Sequence, residues 1–205
     1  HPRKLITTGE GGMLTFKDSN LFNLSRGLIN HGMQKVTIDP SEEVGPWTRD
    51  DFSFPGINLK MSDVAGAIGV IQFSKLKSII KKRVNQAQFY IDLLEKNKYL
   101  KLPSSKKKVL TGHTYQSFVI LIKDGNRKTR NDLMKNLLNK GIQTSLGTIS
   151  IPHTKYYSKK YLFKKNSFPN SKFCEKASIT LPLFHNLKRK QQLLIVKIIN
   201  DFFCI

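Results

Sequence analysis

Four side chains in this chain stand where their type and surroundings suit chemistry: Lys4, His31, Asn58 and His153. Lys4 lies in HPRKLITTGEGGM, beside Arg3 and ahead of Gly9, Gly11 and Gly12. A lysine amine becomes a Schiff-base nucleophile when burial or a neighbouring cation eases its proton away, and the glycines let backbone approach a ligand closely. A surface lysine before a β-turn fits the same residues. Asn58, in PGINLKMSD, sits between an irregular stretch and a helix start. Loop amides and helix N-termini suit phosphate there, whereas a turn asparagine bonded only to its own backbone fits the same residues without any ligand. His31, in NHG, reads as a helix-end histidine favoured by the dipole. His153, in SIPHTKYY, falls on a polar loop among tyrosines and is either structural or in touch with a substrate. His113 and His185 read as strand-edge or turn residues. No His, Cys or carboxylate group has metal-site spacing, and neither a P-loop nor a dinucleotide fingerprint is present.

These residues need elements to hold them. Residues 1–60 alternate turns with short apolar runs. MLTF reads as a strand, DSNLFNLSRGLINHG as a helix capped by Asp18 or Ser19 and ended by Gly32, and residues 39–57 as a long irregular loop. SDVAGAIGVIQFSKL reads as a helix capped by Ser62. Its apolar stripe is Val64, Ile68, Ile71 and Leu76, with small residues between for close backbone contact. A second helix runs to about Lys96 and turns Val84, Ala87, Tyr90, Ile91 and Leu94 inward. Beyond residue 99 the rhythm shortens. YLKLP, HTYQSFVILI, IQTS and ITLPL read as strands, and RKTRNDLMKNLLNKG, FPNSKFCEKAS and LKRKQQLLIVKIINDFF as helices, with a polar loop around Tyr156 and Tyr157. The pattern is α/β, with a boundary in the helical region that we set between residues 75 and 76.

Composition narrows the field. The chain has 205 residues, 39% hydrophobic and 24% charged, which is ordinary globular usage. No apolar run reaches membrane-span length, so no membrane partner is expected. Cys174 and Cys204 read as reduced thiols, which suits a cytoplasmic protein. The formal charge of +21 invites a nucleic-acid reading. Most of that excess is lysine rather than arginine, however, and it is scattered among apolar residues. Fork-shaped phosphate and base recognition favours arginine, so a phosphorylated small molecule accounts for part of the charge at less expense.

Taken in order, three stretches resemble the DegT/DnrJ/EryC1/StrS sugar aminotransferase family. HPRKLITTGEGGM is similar to its cofactor-lysine segment, LSRGLINHGM to its R-x-x-x-x-H-G helix end, and INLKMSDVAGAIGVIQFSKL to its N-x-R-M-S-D helix. HTYQSFVILI, KGIQTSLGTISIPHTKYY and FPNSKFCEKASITLPLF are similar to small-domain landmarks. The resemblance implies the type I fold of pyridoxal-phosphate-dependent transferases. Residues 1–75 would be the end of the large cofactor-binding domain, with lysine loop and interface helix, and 76–205 the small C-terminal α/β domain.

It further implies that Lys4 carries pyridoxal 5'-phosphate and that Asn58 reaches the cofactor phosphate of a neighbouring subunit in a homodimer with shared sites. His31 and His153 would lie on the substrate side. The implied reaction moves an amino group, from glutamate, to a nucleotide-linked keto sugar. Family dehydratases carry His at the lysine position, so Lys4 favours transamination. Lys60 replaces the family's usual Arg, Gly66 a more usual Ala or Gln, and residues 39–55 look longer than common and suited to shape a sugar pocket. The family's long N-terminal half has no counterpart before His1, so the chain reads as a C-terminal half, inactive alone. A non-catalytic or regulatory relative and a basic nucleic-acid-binding module are the alternatives.

Overall fold

The computed structural model describes residues 3–36, 45, 48–103, 112–164 and 166–205. The chain divides into two compact units, His1–Lys75 and Leu76–Ile205.

In the first unit, Asp18 caps helix α1 (Ser19–Leu28), its Oδ1 accepting from the Asn20 and Leu21 amides at 2.7 and 3.3 Å. The helix ends at Leu28, four residues short of Gly32, yet Gly32 serves the ending: its N–H returns to the Gly27 carbonyl at 2.8 Å. Strands β1 (Met33–Val36) and β2 (Arg49–Phe52) then pair antiparallel, with Met33 opposite Phe52 and Val36 opposite Arg49. This corrects the expected irregular loop over 39–57, since a strand occupies its second half. Residues 39–44, 46 and 47, part of the suggested sugar-pocket segment 39–55, lie outside the described residues. MLTF is not a strand either: Met13 and Leu14 are exposed. Apolar alternation becomes a strand only beside a neighbour that takes up its N–H and C=O groups, and β1 and β2 take up each other's.

Helix α2 (Asp63–Ser74) begins where Ser62 Oγ accepts from the Ala65 amide at 3.3 Å, with Asp63 in the first turn complementing the dipole. No α2 residue is buried, and Val64, Ile68 and Ile71 of the expected stripe are all exposed. The expected single stripe does not describe the helix, because Val70 and Phe73 add apolar surface elsewhere and α2 is apolar nearly all round.

The second unit opens with α3 (Leu76–Leu94), whose Ala87, Tyr90, Ile91 and Leu94 are fully buried and whose Val84 is half-buried, as the periodicity predicts. There follow β3 (Leu100–Lys101), β4 (Phe118–Ile122), α4 (Arg127–Asn139), β5 (Ser145–Leu146), a 3₁₀ turn (Ile151–His153), α5 (Lys155–Tyr161), α6 (Pro169–Ala177), β6 (Ser178–Leu181) and α7 (Arg189–Phe202). The four strands form an antiparallel sheet in the order β3-β4-β6-β5. The strand expected at IQTS begins only at Ser145, and Tyr156 and Tyr157 lie on a helix rather than a loop. Alternation on β4 buries Phe118, Ile120 and Ile122 against Leu133, Leu137, Ile195 and Ile199 of α4 and α7.

Polar ties fasten α3 to the far end of the sequence. Arg83 Nη1 reaches the carbonyls of Tyr115, Gln116 and Leu183 at 3.0–3.1 Å, and Gln86 Nε2 those of Phe184 and Leu187. Tyr90 Oη donates to the Pro182 carbonyl at 3.1 Å, and burial pushes its phenol pKa well up. Cys174 and Cys204 are free thiols. No helix among the described residues is long and apolar enough to cross a membrane.

Truncating Ile120 to Ala opens a cavity in this core and is expected to cost about 2–5 kcal/mol. Val70→Ala on exposed α2 should stay within about 0.5 kcal/mol. Urea titration of the two variants measures the contrast.

Candidate functional site

Lys4 is exposed, on a turn that its own sequence builds. Thr7 Oγ1 accepts from the Gly9 amide at 3.0 Å, Thr8 Oγ1 donates to the Glu10 carbonyl at 2.9 Å, and Gly9 takes a left-handed φ of +88° that a side chain would resist. The turn rests on Met61 and on the middle of α2 through two glycines. A Cβ on Gly11 would meet Met61, and one on Gly69 would stand 3.0 Å from the Thr8 methyl. The loop that carries Lys4 and the segment that carries Asn58 thus converge around Met61.

Asn58 and His31 are joined more directly. The Ile57 N–H donates to the Leu28 carbonyl at 2.8 Å, the His31 N–H to the Ile57 carbonyl at 3.3 Å, and Leu59 N–H to Ile29 at 3.0 Å. Asn30 and Asn58 form an isolated antiparallel bridge. This contact requires glycine on both sides: a Cβ on Gly56 would run into the Gly32 amide, and one on Gly32 into the Phe54 carbonyl. His31 itself is left-handed at φ 61°, three residues beyond the last residue of α1, and is exposed. Asn58 is exposed too, its Oδ1 accepting from its own Lys60 amide at 3.4 Å.

Beside this bridge lies a groove of about 730 Å³, lined by Asn23, Arg26, Asn30, Gln34, Asp50 and Lys60 among others. Of these, only Arg26 and Lys60 fall at conspicuous motif positions of the sequence. Asn30 Oδ1 is buried there without a hydrogen-bond partner.

His153 belongs to the other unit. It ends the 3₁₀ turn, and its Nδ1 lies 2.7 Å from Ser150 Oγ, which in turn lies 2.8 Å from Ser171 Oγ. Ser150 is 1% exposed, and His153 Nε2 is buried without a partner. A histidine whose Nδ1 is held by a hydroxyl has its ring plane set from behind, with the hydroxyl able to donate to Nδ1 or accept from it. The two serines are the residues that sequence inspection misses. Ser150, at i−3 from His153, leaves a local trace, whereas Ser171 is 21 residues away and comes into reach only through the fold. Among the described residues no three His, Cys, Asp or Glu side chains gather as a metal site.

Comparison with known proteins gives this arrangement its setting. The model of the DegT/DnrJ/EryC1/StrS aminotransferase family matches residues 1–200, and the chain belongs to that family. Bacillus subtilis spore coat polysaccharide biosynthesis protein SpsC is 29% identical over 186 residues, covering 90% of this chain and 47% of the relative. A Campylobacter jejuni UDP-4-amino-4,6-dideoxy-N-acetyl-beta-L-altrosamine transaminase is 29% identical over 193 residues, covering 93% and 47%. A Yersinia pseudotuberculosis GDP-4-keto-6-deoxy-D-mannose 3-dehydratase is 29% identical over 150 residues, covering 67% and 36%. Helicobacter pylori PseC, an aminotransferase involved in pseudoaminic acid biosynthesis, superposes with a TM-score of 0.82 at 21% identity, over 97% of this chain and 50% of its own. A Streptococcus pneumoniae protein solved in PMP and PLP forms gives 0.81 and 0.79 at 18% identity, over 97% of this chain and 50% and 48% of its own. The fold is therefore that of the pyridoxal-phosphate-dependent aminotransferases, and the chain spans about half the length of the curated relatives it matches.

The residues present fit such a cofactor in kind. Lys4 offers an accessible primary amine to an aldehyde, and Asn58 an exposed carboxamide to a phosphate.

Gly56→Ala should destabilise the first unit by about 1–3 kcal/mol through overpacking against Gly32, read as a lowered thermal midpoint. Ser150→Ala should release the His153 ring, seen as a changed balance of its two nitrogens in ¹⁵N spectra at neutral pH, with the thermal midpoint little changed.

Proposed function

We propose that this chain supplies the lysine side of a pyridoxal-phosphate pocket in a sugar aminotransferase. The enzyme would pass an amino group, from glutamate, to a nucleotide-linked keto sugar in amino-sugar or surface-polysaccharide synthesis. One observation carries the reading: an accessible lysine amine stands just ahead of a turn of threonines and glycines, and that turn packs against Met61 and α2, the segment that Asn58 leads into. Bound pyridoxal phosphate supplies the electron sink that makes the donor's α-proton removable.

The rest falls to the chain. Lys4 Nζ would hold the aldehyde of the cofactor, and as a free amine it would be the base that takes and returns the proton of the amino donor. The turn around Gly9 seats the segment that follows Lys4 on α2, and a proton shuttle needs a well-placed carrier more than it needs strength. The Asn58 carboxamide donates to a phosphate oxygen. Being exposed, it suits a cofactor held by a neighbouring subunit of a homodimer. His31 and His153 are each candidates for the substrate side, the latter with its Nδ1 2.7 Å from Ser150 Oγ. The similarity to a transaminase and to a polysaccharide-biosynthesis protein supports this substrate class, and the lysine at position 4 favours amino transfer over the dehydration named for the Yersinia relative. Alone, the 205 residues are expected not to turn over.

Borohydride trapping with one equivalent of pyridoxal phosphate, followed by peptide mass spectrometry, tests the assignment. Lys4 should take most of the label. Label spread across surface lysines in proportion to their exposure, or unchanged total labelling in Lys4→Ala, would overturn it.

A further inference from the structure

The proposed chemistry leaves the surface that follows His153 unused. Between Asp132 and Glu175 the sequence contains no Asp or Glu, while four exposed lysines, Lys155, Lys159, Lys160 and Lys164, crowd one short segment of that stretch. No carboxylate within the stretch offsets their field. With about 3.6 residues per turn, Lys155, Lys159 and Lys160 take one arc of α5, Tyr157 and Tyr161 the next, and half-buried Ser158 the third.

The aromatic arc continues past the helix as a ridge. Tyr157 lies on Tyr161 at 6.0 Å and 13°, Tyr161 on Phe163 at 5.5 Å and 25°, and Phe163 meets Phe168 edge-on at 5.0 Å and 81°. Each of the four stays 37–52% exposed. Leu162, between two of these rings in sequence, sits at the left-handed end of α5 (φ 48°) and is 82% exposed. An apolar ridge thus stands in water with ammonium groups along its flank.

We infer that this patch lies on an anionic lipid surface, with Leu162 and the ring edges entering the boundary between headgroups and acyl chains and the four lysines among the lipid phosphates. Lying on a bilayer needs no spanning helix. Exposed aromatic and aliphatic side chains flanked by lysines have the composition that such a surface holds. Rings settle at headgroup level, and each lysine adds attraction to anionic lipid. The inference stands apart from the cofactor reading, since it uses neither Lys4 nor Asn58.

Other occupants match the patch less closely. A nucleic-acid strand needs open ring faces on which to stack its bases, and here those faces are taken. Lys160 Nζ lies 5.5 Å from the Tyr156 centroid and 5.4 Å from that of Tyr161, Tyr157 stands perpendicular to Tyr156, and the ridge rings cover one another. A second copy of the same face would set lysine against lysine.

Flotation of the 205-residue chain with vesicles of phosphatidylcholine alone, or of phosphatidylcholine with phosphatidylglycerol, tests this. The anionic vesicles should bind at least about tenfold more tightly, and less so as added salt cuts the Debye length from ~30 Å to ~8 Å. A lysine near an anionic surface is worth about fivefold, so Lys155→Gln with Lys159→Gln should weaken binding about twenty-fivefold. Because the whole chain carries +21, the control is Lys190→Gln with Lys197→Gln, the same loss of charge at exposed positions of α7. That pair should change binding by less than about threefold. Leu162→Asn keeps a residue that accepts the left-handed backbone and removes the inserted aliphatic group. It should weaken binding to anionic vesicles at least about fivefold. All these positions are exposed, so thermal midpoints should stay put and show that the variants fold.

Equal binding to both kinds of vesicle, equal losses from the α5 and α7 pairs, or Leu162→Asn binding like the parent chain would overturn the inference, as would no vesicle binding at all. Without vesicle binding, retention of a single-stranded RNA that is lost in Lys155→Gln with Lys159→Gln assigns the patch to nucleic acid instead. A dimer in sedimentation equilibrium that Leu162→Asn breaks, again without vesicle binding, assigns it to a second copy of this chain.

Discussion

Two glycines in backbone contact organise the first unit. Gly32 and Gly56 approach so closely that neither tolerates a Cβ, and the carbonyls and amides around them close a short ladder from Leu28 to Leu59. Because the contact is backbone on backbone, it places the side chains on either side without using them. His31 is turned outward at a left-handed corner, and Asn58 is presented at the edge of the bridge. The hairpin of β1 and β2 hangs from the same junction, through the Ser53 N–H on the Gly32 carbonyl at 3.3 Å. A pair of small residues thus does what a larger core does elsewhere, and leaves the candidate ligands free.

The second unit solves its problem by conventional burial. A four-stranded antiparallel sheet with short strands has little stability of its own, and here α3, α4 and α7 cover it with Ile, Leu and aromatic side chains. Two polar side chains of α3, buried Gln86 and half-buried Arg83, also fix loops. Arg83 and Gln86 spend their donors on carbonyls of the loops at 115–116 and 183–187, so the loops are fixed by the helix rather than by their own structure. The turn from Ser150 to His153 follows the same logic on a smaller scale, with a buried hydroxyl standing between Ser171 and the imidazole.

How much of this the sequence disclosed depends on where the determining contact lies along the chain. The inward face of α3, the caps at Asp18 and Ser62 and the glycine ending at Gly141 are local events, and each was legible from spacing. The hairpin was not, because RDDF has no strand composition and forms a strand only against Met33–Val36. Helix α5 escaped notice because lysines and tyrosines interrupt any apolar period, and the stripe read into α2 failed because its apolar residues do not keep to one side. Of the site, Lys4, Asn58, His31 and His153 were each visible as residue types in suggestive settings. The backbone bridge beside Asn58 and the serine relay behind His153 join positions 21 or more residues apart, and such pairings leave no periodic trace.

The long-range polar ties of α3 also bear on the order in which the second unit acquires its shape during synthesis. Gln86 binds carbonyls about a hundred residues downstream, Gln192 Nε2 returns to the Gln86 carbonyl at 2.9 Å, and Asn97 bonds Asn200 at 3.0 Å. The helix emitted first from the ribosome in this unit is therefore completed by the helix emitted last. Until α7 emerges, one face of α3 has no permanent cover, and the nascent unit must wait with that face open. The loop-closure entropy of this unit is therefore met in one late step, when α7 arrives, rather than spread along the chain.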